Sequence, residues 1–210
     1  MKFDFESLTE DARYKLMLAT VLPRPIAWVT SQDRNGIVNA APFSFFNAFG
    51  TEPATLGIGV GRNSPTKPKD TCLNIRATEE FVVNLVPFSG AEKMRASSMP
   101  FPSHVSEISA VGLATSPSER VAPPRIAESP ASFECRFIQE IRLGNFSLIL
   151  GRIVMLHVRD EAVLDADRLH IDAANLDLIG RMEGAQYTRT RDKFEPSAEL
   201  GQALMARHEK

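Results

Sequence analysis

The chain has few cysteines, little net charge and no long apolar run, and each shortage closes a class of function. Its two cysteines, Cys72 and Cys135, stand alone in 210 residues. That excludes a disulfide framework and predicts free, partly buried thiols in a reducing compartment. A formal charge of -2 and a pI near 6.1 leave no basic footprint for non-specific nucleic-acid binding. No apolar stretch approaches the roughly 20 residues of a membrane span. The opening M-K-F-D-F-E lacks the apolar core of a secretory signal, so the expected location is cytoplasmic. Without secretion, the Asn145-Phe146-Ser147 sequon carries no meaning. The histidines at 104, 157, 170 and 208 lack H-E-x-x-H or C-x-x-C spacing, which speaks against zinc. G-x-S-x-G is missing too, and with it the serine-hydrolase reading. No internal repeat or composition shift marks a second domain, and 43% hydrophobic with 24% charged residues is ordinary globular composition. One domain over residues 1–210 is expected, with its core over about 10–195 and a tail over 196–210.

What the chain does have begins with R-P-I-A-W-V-T-S-Q-D-R-N-G-I-V-N-A-A-P-F-S-F-F-N, Arg24 to Asn47. Ile26, Trp28 and Thr30 alternate with Ala27, Val29 and Ser31 at the two-residue period of a strand. Asp33, Asn35 and Gly36 supply turn chemistry, so a hairpin is predicted. The returning limb, Ile37 to Asn47, contains Pro42, which has no N–H for a sheet ladder. That limb must therefore sit at an edge, a bulge or a bend. Small and polar residues (Asn39, Ala40, Ala41, Ser44) and aromatics (Phe43, Phe45, Phe46) gather around the break. Such a place suits a flat heteroaromatic ligand that needs stacking and hydrogen bonds together. Phe43 and Phe45 share a parity and also read as core, whereas Phe46 and Asn47 lie at the strand end.

Around this hairpin the chain reads as follows. Ser7 and Glu10 fit a capping box, starting a short helix that ends before Pro23. Thr55 to Gly61 reads as a strand with Gly57, Gly59 and Gly61 on one face, open to close approach by another strand or a ligand. It is not a dinucleotide fingerprint, because Arg62 occupies the place of the third glycine and prolines follow where a helix should begin. The loop from Arg62 to Thr71 concentrates cations and hydroxyls, and Asp70 is placed to cap a helix over 71–77. This loop reads equally as a phosphate seat and as a solvated charged segment. Glu80–Val86 is a further strand, and 90–98 a brief helix. Residues 99–130 form a proline-rich irregular stretch of the kind that is functional or packs on a partner. Ser132–Leu143 and Phe146–Arg159 form a long hairpin about Gly144-Asn145. Glu134 and Glu140 are expected on its solvated outer face, and His157 as a satisfied wall residue. Without alternating long helices, an antiparallel barrel is favoured over a parallel α/β sheet.

R-P-I-A-W-V-T-S, N-A-A-P-F-S-F-F-N, K-D-T-x-x-N-I, E-F-V-V-N-L-V and G-R-M-x-G-x-x-Y-x-R-T occur in that order over roughly residues 10 to 195. Together they resemble the flavin reductase-like FMN-binding split-barrel family, most closely its flavoredoxin-type branch. Glu183 departs from the pattern, since relatives usually carry glycine there. The resemblance implies a mainly β protein: a six-stranded antiparallel split β-barrel with a few short helices, found as a homodimer with FMN near the dimer interface. It places FMN contacts on Thr30 and Ser31, and on Asn39, Ala41, Pro42, Ser44, Phe45, Phe46 and Asn47. Phosphate contacts fall on Arg62, Ser64, Lys69, Asp70 and Thr71. Tyr187 and Arg189 of the late motif close the site from the same or the other subunit. No catalytic side chain and no metal is implied, because the redox chemistry belongs to the flavin. Hydride passes from NAD(P)H, a transient reductant, to flavin N5, and electrons go on to free flavin, iron or a redox partner protein. Two other readings stand beside this one: a flavoredoxin-like FMN electron carrier reduced by a protein partner, and a barrel whose motifs serve packing alone.

Overall fold

A computed structural model describes residues 1–62 and 67–208. Helix α1 spans Glu10–Thr20 and is capped by Thr9, whose hydroxyl accepts from the Ala12 amide at 3.3 Å. Ser7 is not the cap; its hydroxyl turns back to the Asp4 carbonyl. Strands β1 (Ala27–Gln32) and β2 (Val38–Phe43) form the expected hairpin. Asp33 closes it by accepting the amides of Asn35 and Ile37, and Gly36 takes a φ of +88° that an L side chain resists. The chain continues through β3 (Phe46–Thr51), β4 (Ala54–Gly61), helix α2 (Asp70–Thr78) and β5 (Glu80–Leu85). The long hairpin β6 (Ala131–Leu143) and β7 (Phe146–Val158) turns at Gly144, φ +57°.

These strands form one antiparallel sheet ordered β2-β1-β5-β6-β7-β4-β3. Its outermost strands, β2 and β3, are consecutive in the chain and separated only by Ser44 and Phe45. The three steps from Phe43 to Phe46 span at most about 11 Å, so the sheet must curl until its edges nearly meet. The result is a barrel with a seam at the Ser44-Phe45 bend, tied where the Gly59 amide donates to the Phe45 carbonyl at 2.6 Å. Among the described residues the sheet has seven strands, not six, because the Pro42 limb is divided by this bend into two strands on opposite edges.

The barrel interior is built from alternate residues: Val29, Phe43, Ile58, Val60, Phe81, Val83 and Ile149, with Cys72 and Ile75 of α2 closing one end. A second cluster around the fully buried Trp28 lies on the outer face of β1, beneath residues 86–126. Both faces of β1 are therefore covered, and its burial is continuous, not alternating. Trp28 donates its indole N–H to Ser97 Oγ at 2.9 Å.

The 99–130 stretch is pinned to the sheet by polar groups. Asn84 receives the Ile126 amide, and Glu134 receives the amides of Glu119 (2.8 Å) and Arg120 (2.6 Å) together with His157 Nε2 (2.5 Å). Glu134 is thus 0% exposed and anchors a loop. The solvated outer position expected for it is corrected, because two loop amides need an acceptor there. Arg24–Pro25 pairs with Ile179–Arg181, which pairs with Tyr187–Arg189, in a small separate sheet beside the seam. Among the described residues no helix is long and apolar enough to cross a membrane.

Candidate functional site

The seam opens into a cleft of about 750 Å³, within the range of small-molecule and cofactor sites. Its floor is the bend itself, Pro42 to Phe45. One wall is the glycine face of β4, and the far rim carries Arg62 and Lys69. Each part follows from local sequence. Pro42 pairs with Trp28 on the edge strand β2, where a missing N–H costs no ladder bond. The outward side of that edge is otherwise already satisfied. The Val38 carbonyl accepts Ser106 Oγ at 2.6 Å, and the Ala40 amide donates to Glu107 Oε2 at 3.0 Å. Beyond Ala40 no backbone partner meets this outward edge among the described residues, where Pro42 and Ser44 line the cleft.

The glycine face resolves the choice left open by the sequence. A Cβ on Gly59 would lie 2.8 Å from Phe45 Cβ, and one on Gly57 would lie 2.5 Å from the Phe49 ring. At Gly61 the nearest contact, Phe146, is ordinary at 3.4 Å. The glycines therefore admit aromatic rings of the chain itself, and two of those rings, Phe45 and Phe146, line the cleft. Phe45 and Phe146 stack with centroids 5.1 Å apart, and Tyr14 of α1 tilts over Phe45 at 6.3 Å. Asn145 donates to Glu10 Oε1 at 2.6 Å, holding α1 against the β6–β7 turn.

Lys69 is the residue at the start of α2, and the Cys72 and Leu73 amides donate to its carbonyl. Asp70 is not the cap but the first helical residue; its carboxylate accepts Ser103 Oγ at 3.1 Å. The Lys69 ammonium lies 5.9 Å from the Phe43 ring centroid. Two cations and a helix start thus face an aromatic slot.

Apart from Asp70, which holds Ser103, the residues expected in the site and described fall into three groups. Pro42, Ser44, Phe45, Arg62 and Lys69 line the cleft. Tyr187 lines a smaller adjoining cavity that shares Pro42 and Ser44 with it. A second group lies behind the cleft. Thr30 and Ser31 are fully buried, Thr30 donating to the Pro124 carbonyl and Ser31 accepting from Asn74. Asn39 and Thr71 join to each other at 2.8 Å, and Asn39 donates on to Glu107. Ala41 and Phe46 pack against the barrel core. The third group is apart from the cleft: Asn47 is exposed on β3, and Arg189 pairs with Asp177 at 2.7 Å while lying over the Phe88 ring. Ser64 lies outside the described residues.

Sequence reasoning passed over Glu10, Tyr14 and Phe146. Only Phe146 carried a signal, as the residue following the Gly144-Asn145 turn; the helix reaches the cleft by a contact 135 residues away in the chain.

Burial shifts the titratable groups behind the site. Burial pushes the Cys72 thiol up to about 11 and raises Cys135 as well, so neither is a thiolate at neutral pH. Burial also raises the Glu107 carboxyl, against the Ala40 amide that favours its charge. The cleft therefore offers stacking surface, backbone edge and cations, the donor set a phosphorylated flat heteroaromatic needs. FMN fits it: two cations for a phosphate, the Ser44 hydroxyl for a polyol, and Phe45 and Phe146 faces beside an open backbone edge for a ring.

The flavin reductase like domain family matches residues 18–172. A Deinococcus radiodurans protein of uncharacterised function is 43% identical over 198 residues, covering 92% of this chain and 87% of its own. Nitrilotriacetate monooxygenase component B from Bacillus cereus superposes with a TM-score of 0.88 at 30% identity, covering 93% and 98% of the two chains. The 2-nitrobenzoate 2-nitroreductase of Pseudomonas fluorescens gives 0.86 at 35%, covering 94% and 95%. A flavoredoxin of Desulfovibrio vulgaris, 17% identical with a TM-score of 0.76 over 96% and 100%, shares the fold. From its barrel seam to its family match, this chain belongs to the flavin reductase-like split-barrel family.

Proposed function

We propose that the whole chain is a single-domain, FMN-dependent oxidoreductase that uses NAD(P)H as reductant and works as a homodimer in the cytoplasm. One observation carries this reading: the Pro42–Phe45 bend and the Arg62/Lys69 rim open on a single aromatic-walled cleft. Similarity to a monooxygenase component and to a nitroreductase supports a redox role. Bound in the cleft, FMN would supply the redox chemistry, hydride uptake from a nicotinamide and electron release to an acceptor.

The chain's own residues bind, orient and shield. Arg62 and Lys69 would hold the phosphate, beside the first turn of α2. Ser44 would receive the polyol, the backbone edge at Pro42 would orient the ring system, and Phe45 would supply stacking surface. Tyr14 and Phe146 keep water from one side of the slot. Thr30, Ser31, Asn39 and Thr71 act from behind. Their hydrogen bonds fix β1, the edge of β2 and the start of α2 relative to one another, which sets the spacing between phosphate seat and ring slot. Asp70 fixes the same helix start through Ser103, and Ala41 and Phe46 seat the bend on the core.

The test is optical. Protein incubated with FMN and passed through gel filtration should stay yellow, and NADH or NADPH added without oxygen should bleach it. A colourless protein would overturn the reading. Bleaching that requires a reduced partner protein would replace the reductase with an electron carrier.

A further inference from the structure

Beside the flavin cleft lies a second cavity of about 190 Å³, which shares Tyr14, Pro42, Phe43 and Ser44 with it. It is lined by Tyr14, Ile26, Phe43 and Tyr187 and by two arginines, Arg24 and Arg181, and among the described residues no carboxylate lines it. The arginines are cross-strand partners in the small sheet beside the seam, Arg24 opposite Arg181. Like charges at directly opposed positions repel, and burial lowers the readiness of Arg24 to hold its charge, with Arg181 adding to the effect. Neither arginine forms an ion pair among the described residues; Glu183 acts on Arg24 only at longer range.

Arg24 has a structural occupation. It is 4% exposed, and it donates to the carbonyls of Leu18 (2.7 Å) and Val21 (2.8 Å) at the end of α1 and of Met182 (2.8 Å), with a long approach to Ser44 Oγ (3.5 Å). Those bonds account for one guanidinium but not for a second one opposite it. Arg181 donates to the Tyr187 hydroxyl and the Gly184 carbonyl and lies 4.7 Å from the Tyr187 ring centroid. A guanidinium has five N–H donors, so the Arg181 fork keeps uncommitted donors at the wall of an aromatic cavity. Opposed cations with no ion-paired carboxylate among the described residues, set in apolar and aromatic walls, form a site that suits an anion on a flat apolar body.

We infer that this cavity binds a small aromatic carboxylate, its carboxylate received by Arg181 and Arg24 and its ring lying among Tyr14, Phe43 and Tyr187. A planar fork recognises a carboxylate in two-point fashion, and the small volume suits a single ring. The binding site stands on these residues alone. Its role as the seat of a second substrate beside the flavin rests on the function proposed above.

Calorimetric titration of the full chain with benzoate tests the inference, with benzamide and inorganic phosphate as controls. Benzoate should saturate one site, and benzamide, which keeps the ring but not the charge, should bind at least about tenfold more weakly, as should phosphate, which has no ring. Arg181→Gln should weaken benzoate by about tenfold or more while FMN affinity is unchanged; if that variant fails to fold, Arg181→Lys, which keeps charge but not the fork, should weaken it too. The inference is overturned if benzoate does not bind, if benzamide or phosphate binds as well as benzoate, or if the variant binds benzoate like the parent. It is also overturned if loading with FMN displaces benzoate, which would place benzoate in the flavin cleft. A protein that takes up no FMN yet passes the benzoate titration would sink the flavin reading and leave this site standing.

Discussion

Replacing Lys69 by alanine is the perturbation that most directly weighs the phosphate seat. Lys69 is half-buried at the first residue before α2 and faces the cleft from the rim. Its side chain makes no capping bond, and the amides of Cys72 and Leu73 reach its carbonyl, which alanine retains. The contact with the Phe43 ring, at 5.9 Å, is at the outer limit of a cation–π interaction. The fold should therefore lose no more than about 0.5 kcal/mol, the usual range for such a surface position.

Flavin binding should lose far more. A charge-assisted contact to a phosphate is worth about 1.5–3 kcal/mol, or roughly 10- to 150-fold in Kd. Arg62 stays on the same rim, so binding weakens without vanishing. The assay is quenching of FMN fluorescence on titration with protein, at low and at moderate salt. Lys69→Arg should recover most of the loss. The gap between parent and Lys69→Ala should narrow as salt rises, because screening acts over about 10 Å at 0.1 M. A Kd for Lys69→Ala within twofold of the parent, at low salt and with an unchanged melting temperature, would refute the assignment of the phosphate to this rim.

Other expectations follow from single contacts. Gly59→Ala would set a Cβ 2.8 Å from Phe45 Cβ at the seam, and should cost about 1–3 kcal/mol in thermal unfolding and loosen FMN binding; an unchanged melting curve would show that the bend is not tight. Glu134→Gln leaves one of three donors facing an amide N–H, a loss of about 1–3 kcal/mol; limited proteolysis should then cut residues 99–130 faster, and unchanged cutting would deny Glu134 its anchoring role. The Glu140 carboxyl is held down at about 2, first by its hydrogen bond from the Arg76 guanidinium and also by Ser147. Its contribution to stability is thus fully present above its ordinary 4.5 and is lost as pH falls from there toward 2. Arg76→Met should flatten that part of the stability–pH curve, and an identical acid profile would exclude the pair as its source.

Much of the frame was legible because local physics dictated it. The Asp33–Gly36 turn and the two-residue alternation from Ile26 to Ser31 required a hairpin, and the lost N–H of Pro42 required an edge. Gly144-Asn145 required the long β6–β7 turn. These are contacts between residues close in the chain, where propensity and period are read directly. Helix caps were less secure: Thr9 displaced Ser7 and Lys69 displaced Asp70, because each pair of neighbours offers competing geometries that packing settles.

The sequence by itself determined that the chain makes an antiparallel barrel with a broken edge strand, an aromatic cluster at the break and a cationic loop further on. It also supported membership of a flavin-handling family. Tertiary structure alone decided that Ser44 and Phe45 are the seam between the two sheet edges, that Thr30, Ser31, Asn39 and Thr71 stand behind the cleft, and that α1 walls it with Tyr14. It decided too that Glu134 is a buried anchor and that Arg24 faces Arg181. The reason is physical. A strand's period tells which residues share a face but not what covers that face, and that is settled by contacts between elements apart in the chain, from Ser31 with Asn74 to Glu10 with Asn145.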